Sequence, residues 1–260
     1  MNFDGKTVLV TGAAGAIGKG IAVAFAGSGA NVFITDIDSE GLKATMKHIA
    51  SAGGKCAHLA ADVTRAGQVK AVVYAASENF GGKIDILINV AGIIGSHPVE
   101  DITEQEWDNM FAVNCKGTFL FIKNVVPLMK KAGGGRIINF SSKSGKTGSA
   151  LLSHYSAAKA AVIGFTQALA YELADYGITV NCLCPGITEG TGVWSTVSAG
   201  YSKDLNLPVA EVVKKFTGKV PLKRLAKIED IVAVTLFLAS DGADYMTGQA
   251  INVTGGREMH

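Results

Sequence analysis

The order in which this chain changes its hydrophobic period limits the fold more than any other feature. Short β-branched or aliphatic runs at residues 7–10, 31–35, 55–60, 84–89, 136–140, 178–183 and 249–253 read as strands. Between most of them lie longer stretches with helical spacing, at residues 41–52, 68–80, 104–131, 155–176 and 228–239, and the first run is followed by the amphipathic IAVAFAGSG. A strand that is followed by a helix and then another strand pairs in parallel, through a right-handed crossover, with helices covering both faces of the sheet. The expectation is an α/β fold with a doubly wound, Rossmann-type parallel sheet. No repeat, linker or low-complexity segment divides the chain, so residues 1–260 read as one domain.

In an open sheet of this kind ligands bind beyond the carboxyl ends of the strands. Polar or conformationally special residues stand at six such ends: Gly12, Asp36, Asp62, Asn89, Ser142 and Pro185. The first strand runs into Thr11-Gly12-Ala13-Ala14-Gly15-Ala16-Ile17-Gly18 and then into a helix. Glycines ahead of a helix N-terminus let backbone N–H groups approach a pyrophosphate, although an ordinary tight βα turn uses the same residues. Asp36 ends the second strand, and a carboxylate there would accept hydrogen bonds from both hydroxyls of an adenosine ribose and repel a 2′-phosphate. Ile37 and Asp38 follow it, with no arginine to receive that phosphate, which favours NAD over NADP. The alternative role for Asp36 is a helix cap, for which Asp38 or Ser39 is better placed.

The catalytic candidates lie between residues 142 and 159. Tyr155 and Lys159 are four apart, so on a helix they share a face, and Ser142 precedes the tyrosine by thirteen positions. A phenol of pKa about 10 is a poor base at neutral pH. An adjacent ammonium and a cationic nicotinamide ring would stabilise the phenolate, and the expectation is a value brought towards 7. A serine hydroxyl beside it could hold the same substrate oxygen. Tyrosine and lysine at this spacing also occur on ordinary helices, so the pair gains weight only from the convergent strand ends.

Composition narrows the rest. The net charge of +2 gives no reason to expect nucleic acid or an anionic membrane, and no apolar run is long enough to span a bilayer. Cys56, Cys115, Cys182 and Cys184 form no CxxC pair and have no histidine at ligand spacing, so no metal is assigned. The N-terminal residues lack a signal-peptide pattern, and a reducing cytoplasm is the expected location.

With these residues in place the chain resembles the short-chain dehydrogenase/reductase family over essentially its whole length. The resemblance rests on the Gly12–Gly18 turn, Asp62, Asn89-Val90-Ala91-Gly92, Asn114, Ser142, Tyr155, Lys159 and Pro185-Gly186. It implies seven parallel strands, hydride transfer with a nicotinamide dinucleotide and a homotetramer. It implies Tyr155 as general acid/base, Ser142 as the group orienting the substrate oxygen, and Lys159 as the grip on the nicotinamide ribose. Asn114 would sit at a break in its helix and hold a water that relays protons. Cofactor contacts would come from Gly12, Gly15, Ala16, Ile17 and Gly18, from Asp36, Asp62 and Val63, and from Asn89, Ala91 and Gly92. Tyr155, Lys159, Pro185, Gly186, Ile187 and Thr188 would complete them. The chain departs from the family pattern at Ala16, where a glycine is usual, and at Val90, where a second asparagine is usual. A Cβ at position 16 is tolerable if φ is negative.

For the substrate, residues 188–221 read as a lid, in which Trp194 and Tyr201 could cover the substrate or pack the lid on the body. Lys143 and Lys146 could receive a phosphate or a hydroxyl-rich sugar, or could be solvated. His154 could edge the pocket or be a hydrogen-bonded structural residue. NFSSKSGKTGS, YSAAK, YGITV, KVPLKR and YMTGQAINVTGG resemble the polyol dehydrogenases of the family, the sorbitol-6-phosphate 2-dehydrogenase type above all. The expected reaction interconverts a secondary alcohol of a polyol or polyol phosphate with its ketone. The alternatives are an acetoin/diacetyl-type ketone reductase and a dinucleotide-binding regulator without turnover.

Overall fold

The computed structural model describes residues 1–192, 194, 198, 202 and 207–260. Seven strands form one parallel sheet: β1 (Thr7–Thr11), β2 (Asn31–Thr35), β3 (Lys55–His58), β4 (Ile86–Asn89), β5 (Gly135–Phe140), β6 (Ile178–Pro185) and β7 (Ala250–Val253), in the order β3-β2-β1-β4-β5-β6-β7. The order reverses between β1 and β4, which opens a crevice at their carboxyl ends.

The helices cover the sheet on two sides because alternate strand residues face opposite ways. Val8, Val10, Val32, Ile34, Ile86 and Ile88 form one buried cluster with helices α1 (Ala16–Gly27) and α2 (Ser39–Ser51). Leu9, Phe33, Leu87 and Ile137 form the other with α3 (Ala66–Asn79) and with α5 (Thr118–Ala132), which follows α4 (Glu104–Phe111). α7 (Ser153–Leu173), preceded by the short α6 (Lys143–Thr147), joins this second cluster. α8 (Val209–Gly218) and α9 (Ile228–Ala239) complete the described helices of eight residues or more, and α9 packs in the first cluster through Ile231 and Leu238.

One boundary differs from the sequence reading for a local reason, and one expected interruption takes a definite form. β4 begins at Ile86 rather than residue 84, because the Asp85 carboxylate accepts the Thr7 N–H at 2.7 Å and so closes the start of β1. The helical pattern of 104–131 is broken by a π-helical turn at Ala112–Gly117, centred on Asn114. The Asn114 amide donates to the Met110 carbonyl at 3.0 Å and to the Ile93 carbonyl at 3.0 Å, which competes with the regular ladder. Such turns are rare in helices and recur at functional sites. Tyr201 lies outside the described residues.

Candidate active site

The β1–α1 turn is shaped by contacts that exclude side chains. Gly12 has φ +68°, and a Cβ on it would come within 2.7 Å of the Ala91 nitrogen. A Cβ on Gly18 would overlap the Gly12 carbonyl oxygen. The Thr11 hydroxyl oxygen accepts the N–H groups of Val90 and Ala91, both at 3.1 Å, and so ties the end of β4 to this turn. Ala16 opens α1 with a negative φ, so the missing glycine costs nothing. α1 is preceded by Gly15 in extended conformation, with no side-chain cap and no acidic residue in its first turn. Its free N–H groups and positive dipole end therefore fit an anion such as a dinucleotide pyrophosphate.

At the end of β2 the Asp36 carboxylate accepts the Ala14 N–H at 3.0 Å and the Asp38 N–H at 3.1 Å. Asp38, not Asp36, caps α2, accepting from Glu40 and Gly41. Asp36 is thereby left at the edge of the glycine turn, beside exposed Ile37. Asp62 serves its own turn, accepting the Thr64 N–H at 2.8 Å and hydroxyl at 2.7 Å. The Val63 side chain is buried against Gly117. Asn89 is buried and donates to the Asn139 side chain at 2.9 Å.

A cavity of about 450 Å³ lies beyond these strand ends, and Ser142, Tyr155, Lys159 and Asn114 all line it. So do Ile17 from the first turn of α1, Gly92, and Pro185, Gly186, Ile187 and Thr188 beyond β6. Tyr155 and Lys159 are buried on one face of α7. The Ser142 hydroxyl caps α6 by accepting the Ser144 N–H at 3.2 Å and also reaches the Tyr155 phenol. The Lys159 ammonium donates to the Phe140 carbonyl at 2.9 Å and stands 5.8 Å from the centre of the Tyr155 ring. Gly92 is held close to both groups: a Cβ there would lie 2.6 Å from Asn114 Oδ1 and 3.2 Å from Lys159 Nζ. Asn114 Oδ1 is buried with no hydrogen-bond partner. An acceptor left open beside an ammonium is what a water or a ligand hydroxyl would fill.

The expected low phenol pKa is not found in the protein alone. Burial pushes Tyr155 up to about 12, and the hydrogen bond from Ser142 pulls the other way and loses. Burial likewise brings the Lys159 ammonium down to about 8. The lysine is turned to the Phe140 carbonyl, so dehydration outweighs any help it gives the phenolate.

The rest of the cavity wall separates the substrate candidates. Lys143 lines it; its ammonium donates to the Ser149 hydroxyl at 2.9 Å and lies 3.8 Å from the Glu258 carboxylate. Trp194 lines it too, edge-on to Phe216 of α8. Lys146 does not: its ammonium is spent on the Ala250 carbonyl at 2.6 Å, under β7. His154 does not either. It is buried in a neighbouring cavity with His97, Glu106 and Met110, and its Nδ1 has no partner. Lys215 and Lys219 at the end of α8 and Arg257 after β7 also line the main cavity, and the sequence reading did not single them out. In VVKKF nothing in the sequence tells which lysine faces inward, and Arg257 lies just past the last recognised motif.

Comparison with known proteins agrees with this geometry. The model of the family described as enoyl-(acyl carrier protein) reductase, a short-chain dehydrogenase/reductase model, matches residues 12–258. A galactitol 2-dehydrogenase of Agrobacterium fabrum is 40% identical over 260 residues, all of both chains. Among solved structures, the sorbitol-6-phosphate 2-dehydrogenase SrlD from Erwinia amylovora is 36% identical with TM-score 0.92, covering 97% of this chain and 100% of its own. An NAD+-bound xylitol dehydrogenase is 31% identical with TM-score 0.95, covering 98% and 100%. An actinorhodin polyketide ketoreductase with NADPH is 35% identical with TM-score 0.94, covering 99% of each chain.

Proposed function

The chain belongs to the short-chain dehydrogenase/reductase family of oxidoreductases, and from that premise we propose that it is an NAD-dependent dehydrogenase interconverting a secondary alcohol of a polyol or polyol phosphate with its ketone. The observation that carries this reading is the convergence of Ser142, Tyr155, Lys159 and the open Asn114 oxygen on one cavity that the first turn of α1 also lines.

A bound nicotinamide dinucleotide would supply the hydride acceptor for oxidation and the donor for reduction. The α1 N-terminus would hold its pyrophosphate, Asp36 its adenosine ribose and Lys159 its nicotinamide ribose. In oxidation Tyr155 takes the proton of the substrate hydroxyl while Ser142 holds the same oxygen. With burial pushing its phenol up to about 12 in the protein alone, Tyr155 is protonated at neutral pH, the form that ketone reduction starts from, although it is a weaker acid than free tyrosine. Work as a base requires a further positive charge at the site. Asn114 Oδ1 accepts from a water that carries the proton onward. Tyr155 and Ser142 approach the substrate from α7 and the β5 end, so the reacting carbon lies between them and the glycine turn.

The Asp36 carboxylate, with Ile37 and Asp38 beside it, supports NAD over NADP. The galactitol, sorbitol-phosphate and xylitol enzymes among the similar proteins support a polyol as substrate. Four free cysteines fit a reducing cytoplasm. The exposed Phe119 and Tyr171 on α5 and α7 fit burial between subunits of a homotetramer, which light scattering checks; a monomer at working concentration would remove that part.

The direct test is a panel of sorbitol, galactitol, xylitol, sorbitol 6-phosphate and acetoin, each with NAD and with NADP, followed by reduced-cofactor absorbance. The reading expects NAD-linked turnover of a polyol or its phosphate well above that of acetoin. Turnover of acetoin alone, or a preference for NADP, would contradict it.

A further inference from the structure

Lys143, Lys215, Lys219 and Arg257 reach one cavity wall from three separate parts of the chain: α6, the end of α8 and the segment after β7. Cations do not gather without cause, because each repels the others. Here burial lowers the Lys143 pKa most, and Arg257 and Lys219 stand close enough to lower it further. Among the described residues, one carboxylate answers them. Glu258 lies 3.4 Å from Arg257 and 3.8 Å from Lys143, and its side chain is only 8% exposed. Glu258 is fixed in turn by its backbone, which donates to the Thr254 hydroxyl oxygen and whose carbonyl accepts from Thr254 and Asn252. Among the described residues, one negative charge against four positive leaves the wall cationic. Arg257 also keeps a donor unused: Nη1 is buried with no hydrogen-bond partner, although the side chain is stacked 5.4 Å from the Phe216 ring. A buried guanidinium nitrogen without an acceptor is costly, and an anionic ligand oxygen would satisfy it.

We propose that Lys143, Lys215, Lys219 and Arg257 form an anion subsite, so that the substrate of this enzyme carries a phosphate or carboxylate on the chain that bears the reacting alcohol. This rests on the alcohol–ketone reading above and narrows it. Arg257 offers the planar fork that suits a phosphate or carboxylate, and the three lysines act as point charges around it. Glu258 holds Lys143 and Arg257 in place through its carboxylate. The Ser142 hydroxyl on the same wall stands by for the reacting oxygen of the substrate. The occupant therefore has an acidic group at one end and a hydroxylated chain leading to Tyr155.

The test compares a free hexitol, the same hexitol 6-phosphate and the corresponding aldonate on the full chain, by turnover with NAD and by calorimetric binding to the NAD complex. The subsite predicts that kcat/KM for one of the anionic substrates exceeds that for the free hexitol by about a hundredfold, mostly through KM, and that the advantage falls as salt is raised. Which anion wins separates phosphate from carboxylate. Lys219 is exposed, so Lys219→Glu folds, and it lowers kcat/KM for the preferred anion at least tenfold more than for the free hexitol. Arg257→Lys keeps the charge but loses the fork and lies between the two. Turnover of the free hexitol with no anion preference, or Lys219→Glu acting equally on charged and neutral substrates, overturns the subsite and leaves the dehydrogenase reading standing. Tight anion binding without turnover does the reverse. Neither binding nor turnover overturns both.

Discussion

At the scale of single residues, the site stores its cost in Lys159. Its ammonium sits in a fully enclosed position with the Phe140 carbonyl as partner, and burial brings its pKa to about 8 from 10.5. A folded-state value below the unfolded one means that protonation is harder in the folded chain. The penalty is fully present below about pH 8 and fades as the pH rises from there towards 10.5. Lys159→Met removes the charge and keeps most of the volume. Its Tm relative to the parent is therefore highest below pH 8 and declines steadily across that window, in matched thermal melts. An offset that is flat with pH would contradict the buried ammonium. The residues proposed to carry this chemistry were legible in the sequence, because Tyr155, Lys159 and Ser142 have fixed spacings and stand by strand ends. Their electrostatics were not. The spacing places lysine beside tyrosine but reveals neither that the ammonium turns to a backbone carbonyl nor the burial that raises the phenol. Lys146 and His154 failed for the same reason: adjacency in sequence does not set which way a side chain leaves its helix.

At the scale of elements, the turn from β1 to α1 joins fold to function, and its glycines have different jobs. Gly18 is a packing glycine, since a Cβ would overlap the Gly12 carbonyl of the same turn. Gly15 is not: its φ is −73°, and a Cβ would touch only Gly12 oxygen, at 3.4 Å. Gly18→Ala is thus expected to destabilise the chain by about 1–3 kcal/mol, the usual cost of overpacking. Gly15→Ala leaves Tm nearly unchanged and weakens dinucleotide binding about tenfold or more, because its methyl occupies the approach to the α1 N-terminus. Denaturant melts and NAD titration of both variants check this; equal effects on stability would contradict it. The element pattern itself was largely readable. The seven runs are the seven strands, with ends shifted by a few residues where a side chain such as Asp85 takes over a ladder bond. The interruption at Asn114 was readable in the helical pattern of 104–131, and its form, a π-helical turn, follows from an amide that competes for the Met110 carbonyl. On α5, Phe121 points into the core, whereas Phe119 two positions earlier is exposed, as a helix requires.

At the scale of the whole molecule, a parallel sheet whose order reverses beside β1 forces its strand ends to share one crevice. Chemistry scattered across half the chain therefore meets in one cavity. The basic wall built by α6, α8 and the segment after β7 was invisible in the sequence, because no local pattern links Lys215, Lys219 and Arg257. It exists only through tertiary packing. The central claim is that this crevice brings a phenol to the reacting oxygen of an alcohol beside a bound dinucleotide. Tyr155→Phe tests it most directly, since it deletes one oxygen from a buried ring and leaves the packing in place. NAD affinity measured by titration should stay within a few-fold of the parent, while kcat on the best substrate of the panel falls by a factor of about 10² to 10⁴. Turnover retained near the parent level with NAD bound normally would contradict the account.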